Sequence, residues 1–143
     1  MASISERENQ LIAEFDKLKN WEERYRLIIE KGKSLAALPD LKKTEEAKVK
    51  GCQSQVWLHA KLSPQGLIEF EGDSDALLVK GLVAILISVY NLTSPSEILG
   101  SNADFLKRLG FESNLSPSRS NGLFSMLKQI RYYAVAFQFI QKN

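Results

Sequence analysis

Hydrophobic positions along this chain of 143 residues recur at two spacings. Leu11, Ile12, Phe15 and Leu18 fall three and four residues apart, the repeat of one helical face, and predict a helix over residues 6–19. Ser5 and Glu8 have the spacing of a capping box that would start it. Asn20 and Glu23 repeat the capping signal, and Trp21, Tyr25, Ile28 and Ile29 form the apolar face of a second helix. Gly32 reads as its left-handed stop. The Trp21–Tyr25 face reads first as a core stripe, with a docking surface as the alternative.

The spacing then changes. Residues 34–43 mix Leu35, Leu38 and Leu41 with Pro39 and Asp40 and read as an irregular strap across the core. Val56, Leu58, Ala60 and Leu62 alternate with Trp57, His59, Lys61 and Ser63, the period of a half-buried strand. Pro64-Gln65-Gly66 is a turn, and residues 67–71 continue the alternation with Ile68 and Phe70 inward. Residues 47–50 are placed to pair as a third strand.

Helical spacing then returns. Residues 76–90 are apolar almost all round and predict a central, buried helix in which Gly81 allows close backbone approach. Asp73 or Ser74 would cap it, with Asp75 in its first turn. Ser94-Pro95-Ser96-Glu97 opens a short helix, and residues 103–109 form another that stops at Gly110. Ser116-Pro117 opens a long final helix along Leu123, Leu127, Ile130, Ala134 and Phe137. The expected fold is α+β: one domain over residues 1–143, with a small antiparallel sheet of about three strands packed against several helices.

Composition narrows the function classes. A chain that is 44% hydrophobic and 25% charged belongs to an ordinary globular protein. A net charge of +2 without an aromatic-interleaved basic stripe gives no reason to expect nucleic acid. Residues 76–90 are too short for a membrane span, which needs roughly 20 residues. The charged first twenty residues do not have the form of a secretory or transit segment, so a cytoplasmic location is expected.

Chemistry concentrates at Lys48-Val49-Lys50-Gly51-Cys52-Gln53-Ser54-Gln55, which holds the single cysteine. One cysteine forms no internal disulfide and supplies no thiolate cage for a metal or cluster. It is therefore an inert buried thiol or a reactive one. Gly51 suggests a loop tip, and Lys48 and Lys50 place positive charge nearby in sequence, which favours a thiolate. Gln53, Ser54 and Gln55 add polar groups. Lys42, Lys43, Lys48 and Lys50 otherwise read as a solvated face, with partner steering as the alternative. His59, the single histidine, raises a cysteine-hydrolase pairing with Cys52; residues seven apart in an extended chain lie about 20 Å apart, and His59 falls on the outward set. Arg119, in the first turn of the final helix, opposes the helix dipole and needs a partner: Asp75, or the Cys52 sulfur.

The run from Gly51 to Trp57 stands with Gly72-Asp73-Ser74-Asp75-Ala76, Val79-Lys80-Gly81-Leu82 and Leu115-Ser116-Pro117-Ser118-Arg119-Ser120-Asn121-Gly122-Leu123. Together with the entry segment Asn20-Trp21-Glu22-Glu23-Arg24-Tyr25, these motifs resemble the SufE family over nearly the whole chain. The Gln53-Ser54-Gln55 version is more similar to SufE proper than to its CsdE relative. The resemblance implies an α+β fold and a sulfur acceptor for iron–sulfur cluster assembly. It implies that Cys52 takes sulfur as a persulfide from a pyridoxal-phosphate cysteine desulfurase (SufS-like), stimulates that enzyme and passes the sulfur to a scaffold complex (SufBCD-like). Gly51, Gln53, Ser54, Asp75 and Arg119 would support the cysteine, and a sheltered cavity would hold it.

Such a protein binds no cofactor or metal of its own and turns nothing over without its desulfurase. A homodimer remains open. An adaptor that activates the desulfurase, with Cys52 incidental, is the alternative.

Overall fold

The computed structural model describes residues 2–142 and forms a single α+β domain. Two helices, α1 (Ile4–Asp16) and α2 (Trp21–Lys33), lead through an irregular strap to a hairpin of β1 (Val56–Leu62) and β2 (Ile68–Ser74). There follow α3 (Leu77–Tyr90), the short α4 (Pro95–Gly100), α5 (Asp104–Arg108) and α6 (Phe111–Asn114), and the long α7 (Pro117–Lys142).

α1 starts earlier than its first capping signal suggests. Ser3, not Ser5, is the cap: its hydroxyl accepts from the Glu6 backbone N–H at 3.1 Å, and Glu6 accepts in return from the Ser3 N–H. Both serines have Glu three residues on, so local spacing does not choose between them. The longer helix brings Ile4 into the core, and its N–H donates to Glu97 at 3.1 Å. Asn20 caps α2 as expected, accepting from Glu23 N–H at 2.9 Å.

Gly32 does not stop α2. It lies inside the helix without a left-handed backbone, and a Cβ there would sit 2.7 Å from the Gly81 nitrogen. The two glycines bring the backbones of α2 and α3 together, so the close approach expected at Gly81 is made with α2. A Cβ on Gly81 would lie 2.1 Å from the Ile28 carbonyl oxygen. α3 is the central element: Leu82, Val83, Ile85, Leu86, Val89 and Tyr90 are all at most 1% exposed. Its expected cap is not formed. Ala76 occupies the cap position with no side-chain bond, because β2 runs on through Ser74 and keeps Asp73 and Ser74 in the strand.

The sheet has two full strands rather than three, paired antiparallel from Val56↔Ser74 to Leu62↔Ile68. The expected third member is a bridge: Leu58 N–H donates to the Ala47 carbonyl at 2.9 Å and Val49 N–H to the Val56 carbonyl at 2.8 Å. Beyond Val49 the chain leaves the sheet. On the other side, Ile68 bridges Thr93.

The strap carries a short 3₁₀ turn at Asp40–Lys42. Leu38 is buried beneath it, but Leu41 points into solvent, 94% exposed, rather than joining Leu35 and Leu38 against the core. Trp21 and Tyr25 pack as a half-buried core stripe against α6, with Trp21 and Phe111 ring centroids 6.2 Å apart. Among the described residues, no helix is long and apolar enough to cross a membrane.

Gly81→Ala tests the α2–α3 contact. Overpacking against fixed backbone costs at least about 3 kcal/mol, while better helix propensity returns about 1, so a net loss of roughly 2 kcal/mol is expected in urea unfolding. An unchanged midpoint would show that the two helices separate freely.

Candidate functional site around Cys52

Cys52 sits where the alternation places it, on the loop joining the 47–49 bridge to β1. Gly51 turns the chain just before it with φ +88°, a left-handed conformation that favours glycine. A Cβ on Gly51 would also lie 2.8 Å from Ser125 Oγ, so the turn needs glycine for space as well as for angle.

Both ends of the loop are tied down. On the entry side, Gln129 of α7 donates to the Ala47 carbonyl at 2.9 Å and the Leu58 carbonyl at 3.2 Å, while Tyr133 Oη donates to Leu58 at 2.8 Å. On the exit side, Asp75 accepts from Gln55 N–H at 3.0 Å, and its own N–H donates to the Gln55 carbonyl at 3.2 Å. Asp75 is therefore a brace on the cysteine loop and not a residue of the first turn of α3. Among the described residues, the sulfur's hydrogen bond is to Gly122 of α7, with Sγ donating to the carbonyl at 3.6 Å.

The half-buried thiol opens into a cavity of about 350 Å³ lined by Cys52, Gln53, Ser54, Val79, Ser116, Ser118, Arg119, Gly122 and Met126. Gly51 faces away from it, into a separate groove of about 620 Å³ between residues 45–51 and α7. Arg119 thus shares the cavity with Cys52. Its side chain forms no ion pair among the described residues, so the expected pairing with Asp75 is not made.

The electrostatics reverse one expectation. Burial pushes the Cys52 thiol above its ordinary pKa, with no cation acting against it. The lysines near it in sequence point elsewhere. Lys50 pairs with Glu45 at 3.3 Å, and Lys48 lines the separate groove. Lys42 pairs with Glu71 at 2.7 Å and Lys43 reaches Asp73 at 3.7 Å, so these two fasten the strap to β2. His59 lies 3.7 Å from Glu71 on the sheet and has no place in the cavity, which removes the Cys–His pairing.

Asp73 is the acid that α3 engages, at 3.2 Å from Lys80. It also accepts from Leu38 N–H at 3.0 Å, and hydrogen bonds and Lys80 hold its pKa down despite burial.

The chain as a whole matches a known family. The SufE model, described as an Fe–S metabolism associated domain, matches residues 9–134. The chain belongs to the SufE family. An uncharacterized SufE-like protein of Rhizobium etli is 48% identical over 135 residues, covering 92% of this chain and 88% of the relative. The solution structure of a hypothetical protein from Thermus thermophilus superposes with a TM-score of 0.77 at 21% identity, covering 93% of this chain and 96% of that one, and shows the same fold. As a SufE-family member, the protein has a role in Fe–S metabolism.

The cavity brings together Cys52, Gln53, Ser54 and Arg119, with Gly51 and Asp75 setting the loop. Sequence reasoning assigned no site role to Val79, Met126, Gly122, Gln129 or Tyr133. The available signal was Gly122 itself, a glycine inside an otherwise continuous helical pattern.

Two outcomes follow for iodoacetamide labelling of Cys52. The half-maximal pH lies above the ordinary thiol value of about 8.5, because burial disfavours the thiolate; a midpoint below about 8 would contradict the sheltered geometry. Asp75→Ala removes a brace worth about 1 kcal/mol and speeds labelling about fivefold at fixed pH. No change would show that the loop holds without it.

Proposed function

We propose that the protein is a sulfur acceptor and carrier for iron–sulfur cluster assembly, with Cys52 as the persulfide-bearing residue. The carrying observation is a lone thiol on a braced loop, set in a cavity larger than the thiol needs. Its donor is a pyridoxal-phosphate cysteine desulfurase that holds sulfur on its own cysteine, and its recipient is a scaffold complex. In the transfer, the Cys52 thiolate attacks the outer sulfur of the donor persulfide. The new S–S bond forms as the donor's breaks, and the donor cysteine leaves as a thiolate. The step needs no metal, acid–base pair or oxyanion hole in this chain.

The resting thiol is poorly suited to that attack, because it is protonated and half-buried. Docking must therefore move the loop tip outward, where water or the partner's polar groups restore thiolate character. Between the Gln129 anchor and the Asp75 brace, the tip is held to α7 only lightly, by a weak thiol–carbonyl bond. Arg119, a cation in the cavity without an ion-pair partner among the described residues, suits a sulfur anion that arrives there.

Intact mass after incubation with a desulfurase and free cysteine should show one added sulfur atom on the wild type and none on Cys52→Ser. Full stimulation of sulfide release by Cys52→Ser without reductant would instead identify an adaptor. Hydrogen exchange across residues 50–54 should speed up on desulfurase binding; unchanged protection would reject the outward movement.

A further inference from the structure

Glycine is, after proline, the residue least suited to a helix interior, yet Gly122 lies inside α7, in its second turn. Its backbone is where the Cys52 sulfur rests, with Sγ 3.6 Å from the carbonyl oxygen. The resting thiol does not itself demand a glycine. An alanine Cβ at this position would stand 3.4 Å from Sγ and 4.0 Å from the Cys52 Cβ, at the near edge of ordinary contact. The space left by the missing side chain therefore exceeds what the thiol uses.

We propose that Gly122 is a positioning residue for the cargo: it keeps the strip of α7 backbone beside Cys52 open for the second sulfur of the persulfide. This rests on the persulfide reading above. The outer sulfur extends about 2.05 Å beyond Sγ. Two other walls of the cavity are apolar and fixed, since Val79 is 7% and Met126 1% exposed and both pack into the core. A methyl group on residue 122 would occupy the strip of the cavity that lies directly beside Sγ, 3.4 Å from it. The loop tip would then relieve the crowding by moving toward solvent, since its own attachment to α7 is weak. Gly122 thus separates the two states of Cys52, tolerating substitution in the thiol form and not in the loaded form.

The test uses inorganic tetrasulfide to load the purified protein. The Cys52 thiolate attacks one sulfur of the chain, forming the Cys52 S–S bond as a bond within tetrasulfide breaks and trisulfide leaves with the electron pair. Intact mass then follows return to the thiol under dithiothreitol, which is oxidised to its cyclic disulfide as sulfide is released. Iodoacetamide labelling of unloaded protein reports the resting thiol.

For Gly122→Ala, persulfide loss is expected to be about tenfold faster, with thiol labelling within about twofold of wild type. Adding Met126→Ala reopens volume and should return the lifetime toward wild type. Equal persulfide lifetimes in wild type and Gly122→Ala overturn the proposal. So does equal acceleration of thiol and persulfide, which would make Gly122 a packing residue of the loop. A wild type that takes up sulfur neither from tetrasulfide nor from a desulfurase with free cysteine defeats the carrier function itself, and the role of Gly122 falls with it.

Discussion

A helix that is apolar on nearly every side must be covered along most of its surface, and α3 is buried from Gly81 to Tyr90 except at Ala84 and Ser88, because Gly32 and Gly81 let the α2 backbone touch it. The constraint is steric before it is hydrophobic. With either glycine replaced, the helices would stand apart and the buried faces of both would lose contacts. The sulfur site inherits this rigidity. Val79, one wall of the cavity, and Lys80, which reaches Asp73, both belong to α3. The cavity floor is therefore part of the core, while its movable side is the loop that carries the cysteine.

The aspartates at the end of β2 divide the remaining work. Asp73, nearly buried, gathers the Leu38 N–H, Lys43 and Lys80, and so joins strap, strand and central helix. Asp75 lies two residues on, past the strand end, and takes the Gln55 N–H at the surface. The first is a permanent junction whose carboxylate is stabilised by several donors. The second ties the loop exit to the end of the hairpin by two bonds with Gln55 at the surface.

Much of this was legible in the residues. The alternation from Val56 to Leu62, the continuous apolar run of α3 and the long face of α7 each reflect one period, and the structure follows them. Gly51 before Cys52, between two extended segments, placed the thiol on a loop. What escaped were choices that local spacing leaves degenerate. Ser3 and Ser5 offer the same cap, and only the burial of Ile4 decides between them. Gly32 is chemically able to end a helix or to admit a neighbour, and the neighbour lies far along the chain. The lysines around Cys52 were near in sequence, but side-chain direction is set by partners such as Glu45, so their charge does not reach the sulfur. The third strand was limited by length, because the chain turns away after Val49 to make the loop.

The anchoring of that loop sets a tether length. Val49 is fixed by its bond to Val56, and Gln55 by its bonds with Asp75, which leaves three peptide links on each side of the sulfur. Even drawn straight, three residues span only about 10 Å. The thiol cannot be delivered down a deep channel. On the function proposed above, whatever exchanges sulfur with it must offer its own reactive atom near the surface, or have a mouth wide enough to admit the hairpin end itself.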